Sequence, residues 1–209
     1  AKAGSTAPDT WADQVTVPNW AYPNPITRYI LQTFCDVTLK NYNHYYNPDM
    51  LTGVGGAPDS AKLWADLARN KADSDMDKYT YLGYASHFLT DVGNPEHTGM
   101  ELSQYLNQPA HGYYENWVSG ERSNLEYEMY NEDTYSTTTL PADMVKQNAR
   151  FSHSYLDTVY NGIDKETNPS RWYDNATLKQ QTTDITKYCF HNTAYHTRSL
   201  VAYVMKKTD

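Results

Sequence analysis

The sequence predicts an all-α fold, a single domain of several helices. Three observations carry that prediction. Apolar residues recur at helical spacing in one segment after another. The two-residue alternation of a half-buried strand is absent, and no internal repeat is visible. A length of 209 residues suits one domain, with a core large enough to need no cross-link or metal.

The elements follow in chain order. Residues 1–24 hold Pro8, Pro18 and Pro23, with Pro25 just beyond, and read as an irregular arm; residues 25–209 read as the helical domain. Pro25 is well placed to open a helix, because its missing N–H costs nothing at a first helical position. Ile26, Tyr29, Ile30, Phe34 and Val37 then share a face, in a helix reaching about residue 43. Gly53, Gly55 and Gly56 fill a turn-rich stretch over 47–58. Ser60 is the expected N-cap of a helix holding Leu63, Trp64 and Leu67. Asp77 precedes a run through Tyr79, Leu82, Tyr84, Ala85, Phe88, Leu89 and Val92. That helix is apolar nearly all round and should be central. Gly93, Asn94 and Pro95 stop it. A further helix is expected over 112–118, an irregular Thr- and Tyr-rich stretch over 119–140, a helix from Pro141 to Asn161-Gly162, and a last helix over 177–206.

Composition narrows the function classes. Lys and Arg number 17 against 25 Asp and Glu, a formal charge of -8, so a groove for a polyanion is not supplied by side-chain charge. Bound metal ions would reverse the local field. The 20 tyrosines outnumber 5 Trp and 4 Phe, aromatic mass with a polar handle that suits clefts and contact surfaces. No apolar run approaches the roughly 18 residues of a membrane-spanning helix. The first residue is Ala1 rather than Met, which fits either a removed signal peptide, with a secreted or cell-surface protein as the expectation, or a trimmed sequence. Cys35 and Cys189 either pair in an oxidising compartment or are two unrelated buried thiols.

The histidines carry the chemistry. His87 and Asp91 are four residues apart on the central helix, hence on one face, among Phe88, Leu89 and Val92. A carboxylate and an imidazole in apolar surroundings need pairing or a metal. His97 follows the Gly-Asn-Pro break, His111 and Glu115 repeat the four-residue spacing, and His44 ends the first long helix. This donor set suits zinc, with iron or manganese behind it. Asp73, Asp75 and Asp77 alternate like the start of a calcium loop but lack its glycine and final Glu, and read as helix N-terminal charge. His153, His191 and His196 read as structural or surface residues.

The order of residues adds a resemblance. The segment 81–97, YLGYASHFLTDVGNPEH, is similar to the signature of the bacterial zinc-dependent phospholipases C, which recurs in altered form in the P1/S1 single-strand nucleases. His44-Tyr45-Tyr46-Asn47-Pro48-Asp49 resembles the family's His-Phe-Tyr-Asp-Pro-Asp element, and His111-Gly112-Tyr113-Tyr114-Glu115-Asn116 its His-x-x-x-Glu-Asn helix, in the family order. The resemblance covers residues 44–118. It implies a phospholipase C/P1 nuclease-like fold and a phosphoric diester hydrolase with two or three zinc ions. His44, His87 and Asp91 resemble the ligands of one zinc, Asp91 also bridging toward a second. His97, His111 and Glu115 resemble the ligands of the remaining ion.

The family also carries an Asp ahead of the first signature histidine, a ligand and proposed base. Asp36 is the nearest match, with Asp49 as the alternative. The family's N-terminal ligands, a terminal tryptophan amine and a first-helix histidine, have no counterpart here: Trp11 is internal, and a third ion would need an oxygen ligand such as Asp13. The implied partners are a phospholipid or related phosphodiester substrate and a peripheral membrane contact through loop aromatics. The alternatives are a single-strand nuclease or 3′-nucleotidase, disfavoured by the acidic charge, and a non-catalytic zinc-stabilised binding module.

Overall fold

The computed structural model describes residues 42–50, 53–99, 109–130 and 133–206. The arm over 1–24, the first helix with Cys35 and Asp36, and Trp11 and Asp13 lie outside the described residues. Among the described residues the protein is all-α, and the one extended feature is a single antiparallel bridge between Asn47 and Val54. Gly55 closes that loop with φ +140, and a side chain there would run into the Tyr45 carbonyl.

Helix α1 spans Ala57–Asn70 and α2 spans Asp75–Asp91. The start of α1 corrects the expected Ser60 cap: Gly56 is the N-cap, and Pro58 sits in the first turn, where a proline is tolerated best. Its buried face is lined by alanines, with Trp64 packed beside them. Ala57, Ala61, Ala65 and Ala68 are fully buried, while Leu63 faces solvent. Small side chains let a helix lie close to its neighbours, and α1 packs against α2 and α6. Helix α2 begins two residues before the expected position, because the Ser74 hydroxyl accepts from the Asp77 N–H at 3.1 Å. Asp75 and Asp77 then occupy its first turn, favourably placed against the helix dipole.

The remaining helices are α3 (Pro109–Gly120), α4 (Arg122–Leu125), α5 (Tyr127–Tyr130), α6 (Pro141–His153), α7 (Gly162–Asp164) and α8 (Ala176–Met205). Helices α4 and α5 correct the irregular reading of 119–140. Each is about one turn long, too short for periodicity to show, and Leu125 anchors α4 in the core. Helix α6 ends earlier than expected. The Ser154 hydroxyl donates to the Phe151 carbonyl at 2.7 Å, competing with the backbone ladder. The chain continues as a wide turn over Asp157–Asn161. Asn175 caps α8, its side chain accepting from the Leu178 N–H at 3.2 Å.

Two core clusters result. One joins Leu82, Phe88, Leu89, Met144, Val145, Leu200 and the alanines of α1. The other joins Tyr114, Trp117, Val159, Ile163, Trp172, Leu178 and Ile185. Helix α8, 30 residues long, contributes to both. Burial pushes the Cys189 thiol up to about 12. No helix among the described residues is long and apolar enough to cross a membrane.

His196 is 4% exposed, and its Nδ1 has no hydrogen-bond partner. Burial therefore pulls its pKa from 6.5 down to about 4. The neutral ring is the folded form, so stability is complete above pH 6.5 and is lost as pH falls toward 4, by up to about 3 kcal/mol. Urea unfolding of the protein and of His196→Met across that window should show the difference between the two narrowing as pH falls; a constant difference would show that His196 does not titrate on unfolding.

Candidate metal centre

Four elements of the chain converge on one region. The turn Tyr42–His44 supplies His44, α2 supplies His87 and Asp91, the turn Pro95–His97 supplies His97, and α3 supplies His111 and Glu115. Five of the six side chains are less than one-fifth exposed, and the Glu115 side chain is 49% exposed.

They form two sets of three. In the inner set His44 Nδ1 lies 2.6 Å from Asp91 Oδ2 and 2.9 Å from His87 Nε2, and His87 Nε2 lies 3.2 Å from Asp91 Oδ2. In the outer set His111 Nε2 lies 2.8 Å from Glu115 Oε1 and 3.2 Å from His97 Nε2, which is itself 3.2 Å from Glu115 Oε1. A tetrahedral ion about 2.0–2.1 Å from such ligands sets them about 3.3 Å apart. The donor triangles are thus close to the size an ion needs, slightly contracted. Ring geometry repeats as well: His44 and His87 are perpendicular at 89°, and so are His97 and His111. Perpendicular rings point their nitrogens at a common spot instead of stacking.

One hydrogen bond joins the sets. His97 Nδ1 donates to the backbone carbonyl of His44 at 3.1 Å. A carbonyl only accepts, so this fixes the proton on Nδ1 and leaves Nε2 facing the outer set, the usual support for a metal-ligating histidine. The Tyr46 N–H returns to the His97 carbonyl at 3.2 Å.

The charges are strongly coupled. Burial would raise the Asp91 carboxyl, but hydrogen bonds from His44 and His87 and the charge of His97 hold it at about 2. Burial opposes the His97 imidazolium, yet the hydrogen-bonded Glu115 and the charge of Asp91 keep it up at about 9. Burial likewise opposes the Glu115 carboxylate, and bonds from His111 and His97 hold it far below the usual range.

All six predicted ligands are brought together. Asp36 lies outside the described residues. Asp49 joins neither set; its carboxylate lies 3.0 Å from His153 Nε2. His153 is held on both sides, its Nδ1 lying 3.0 Å from the Thr98 carbonyl. Two further residues escaped the sequence reading. Asn94 was legible only as a helix stop, but it also donates to Glu115 Oε1 at 3.1 Å while its own side-chain oxygen accepts from the Glu96 N–H at 2.9 Å. Glu96 is fully buried with no hydrogen-bond partner on either carboxyl oxygen. Burial pushes it up to about 8 against the pull of His97, with Glu115 and Asp164 adding to the rise, and no spacing signal marks it.

No family model matches the chain, and comparison with curated proteins and with solved structures gives no match. The donor sets rest on their own geometry: two groups of two imidazoles and one carboxylate, each compatible with a metal ion.

With His97 protonated up to about pH 9, an ion entering the outer set must displace that proton. Divalent-metal affinity should therefore rise about tenfold per pH unit from 7 toward 9 and level off above it. Titration calorimetry in two buffers of different ionisation enthalpy counts the protons released; no release at pH 7 would show His97 neutral in the metal-free protein.

Proposed function

We propose that the protein is an exported zinc-dependent phosphoric diester hydrolase of the phospholipase C type. The observation that carries this reading is the pair of two-histidine, one-carboxylate sets joined through the His97–His44 hydrogen bond. The ordered blocks around His44, around His87 to His97, and around His111 to Glu115, which resemble the zinc-dependent phospholipases C, support it.

The donors fit zinc: neutral imidazoles and carboxylates, three per ion among the described residues, the count at which catalytic zinc keeps a position for water. His44, His87 and Asp91 would hold one ion, and His97, His111 and Glu115 the other. Zinc bound there supplies a Lewis acid for phosphate oxygens and a water acidic enough to ionise near neutral pH. The chain contributes the rest. Each set carries a single carboxylate, so a divalent ion leaves a net positive site in a protein of charge -8, and an anionic diester is drawn there and not to the general surface. The half-exposed Glu115 marks the side from which substrate enters. Phe88 lies against both His44 and His87, with ring centroids at 5.3 and 5.4 Å, and excludes water from the rear of the inner set.

Mass spectrometry of the metal content tests the reading directly. The protein should hold at least two zinc ions, and His87→Ala and Glu115→Ala should each lose about one and lower diester hydrolysis at least 100-fold. Unchanged stoichiometry in both variants would sink the proposal. Faster turnover of single-stranded DNA than of phospholipid would move it to the nuclease branch, and full zinc occupancy without turnover would make it a binding module.

A further inference from the structure

The two metal-ligand sets depend on how the chain leaves α2. Between Asp91 and His97 it must end a helix, turn, and present a second ligand within six residues. The carbonyls there lack helical partners: the Gly93 N–H bonds the Thr90 carbonyl at 2.9 Å and the Asn94 N–H that of Asp91 at 2.9 Å, in the tight pattern of a helix end.

One face of α6 supplies the missing donors. Asn148 Nδ2 donates to the Leu89 carbonyl at 2.9 Å. The Ser152 hydroxyl makes its shortest contact with the Val92 carbonyl. His153 Nδ1 donates to the Thr98 carbonyl at 3.0 Å. The three carbonyls bracket the ligands, two residues before Asp91, one after it, and one after His97. Asn148 and Ser152 are fully buried. Asn148 is itself oriented from behind, its Oδ1 accepting from Asn192 at 2.8 Å and Thr193 at 3.1 Å, both on α8. His153 extends the contact to the other ligand-bearing segment through Asp49, five residues after His44.

We propose that Asn148, Ser152 and His153 form a polar buttress that positions the metal ligands, with α6 setting the separation of Asp91 from His97. The proposal rests on the zinc-centre reading. None of the three belongs to either ligand set; they act through the backbone that carries the ligands, where supporting partners typically alter metal affinity by about 10- to 100-fold.

The test compares the full chain with Ser152→Ala and His153→Ala. Zinc affinity is read by competition with a chromophoric chelator, ligand geometry by the visible spectrum of the cobalt-loaded protein, and metal-free stability by urea unfolding. Both variants should bind zinc at least tenfold more weakly and shift the cobalt bands. Folded variants with affinity within threefold of the parent and an unshifted spectrum would overturn the proposal, as would a loss of metal-free stability with unchanged affinity, the signature of a merely structural role. If Ser152→Ala does not fold, His153→Ala, at a half-buried position, decides alone. A parent protein that binds no zinc overturns the metal centre and this proposal together; one that binds zinc without cleaving diesters overturns only the catalytic reading.

Discussion

Helix α2 has to stop within one residue of Asp91, and the site depends on how it stops. Pro95 cannot continue a helical ladder and holds Asn94 extended, at φ -81 and ψ 121. Gly93 is required for a different reason. A Cβ there would sit 2.2 Å from Thr193 Oγ1 and 3.2 Å from Asn148 Nδ2, so only glycine lets the turn settle against α6 and α8. Asn94 then caps the next turn and reaches Glu115. Three consecutive residues thus set the place of His97 relative to Asp91, and with it the spacing of the two donor sets.

The electrostatics follow from that proximity. An imidazole is held charged by carboxylates that are themselves held charged by imidazoles, in a region where burial opposes every one of those charges. Such an arrangement is costly to assemble unless each member has a partner, and the six donors do. Glu96, beside them in sequence, does not. The contrast separates a cluster organised around a shared point from a single acid stranded in the core. Tyr114, on the same helix as His111 and Glu115, is satisfied by Thr186 of α8 at 3.0 Å, so α3 is polar-bonded on its core side as well.

Much of this was legible in the sequence because it rests on local rules. Four-residue spacing puts His87 with Asp91 and His111 with Glu115 on single helix faces, whatever the tertiary fold. The Gly-Asn-Pro stop, the helix from Pro141 and the long final helix are punctuated by residues with specific backbone preferences. What stayed hidden is what depends on partners distant in sequence. Asn148, Ser152 and His153 look like ordinary helix residues until α2 is placed beside them. The alanine face of α1 is hidden for a related reason: close helix approach selects small side chains, which carry little hydrophobic signal in the sequence. Helices α4 and α5 hold too few residues for any period to register.

Helix α8 has a consequence for how the molecule is made. It is the last of the described helices, and it lines both core clusters and backs the Asn148 hydrogen bonds. During synthesis, α1, α2 and α6 can pack on one another before that helix has left the ribosome, since they supply most of the first cluster, whereas the second cluster waits for Leu178, Ile185 and Cys189 of α8. The ligand-bearing segments are all made earlier, and so spend that interval tethered near one another without their final backing. The Asn192 and Thr193 bonds that orient Asn148 are therefore completed last, an order set by the chain's vectorial emergence and not by the order in which its histidines appear.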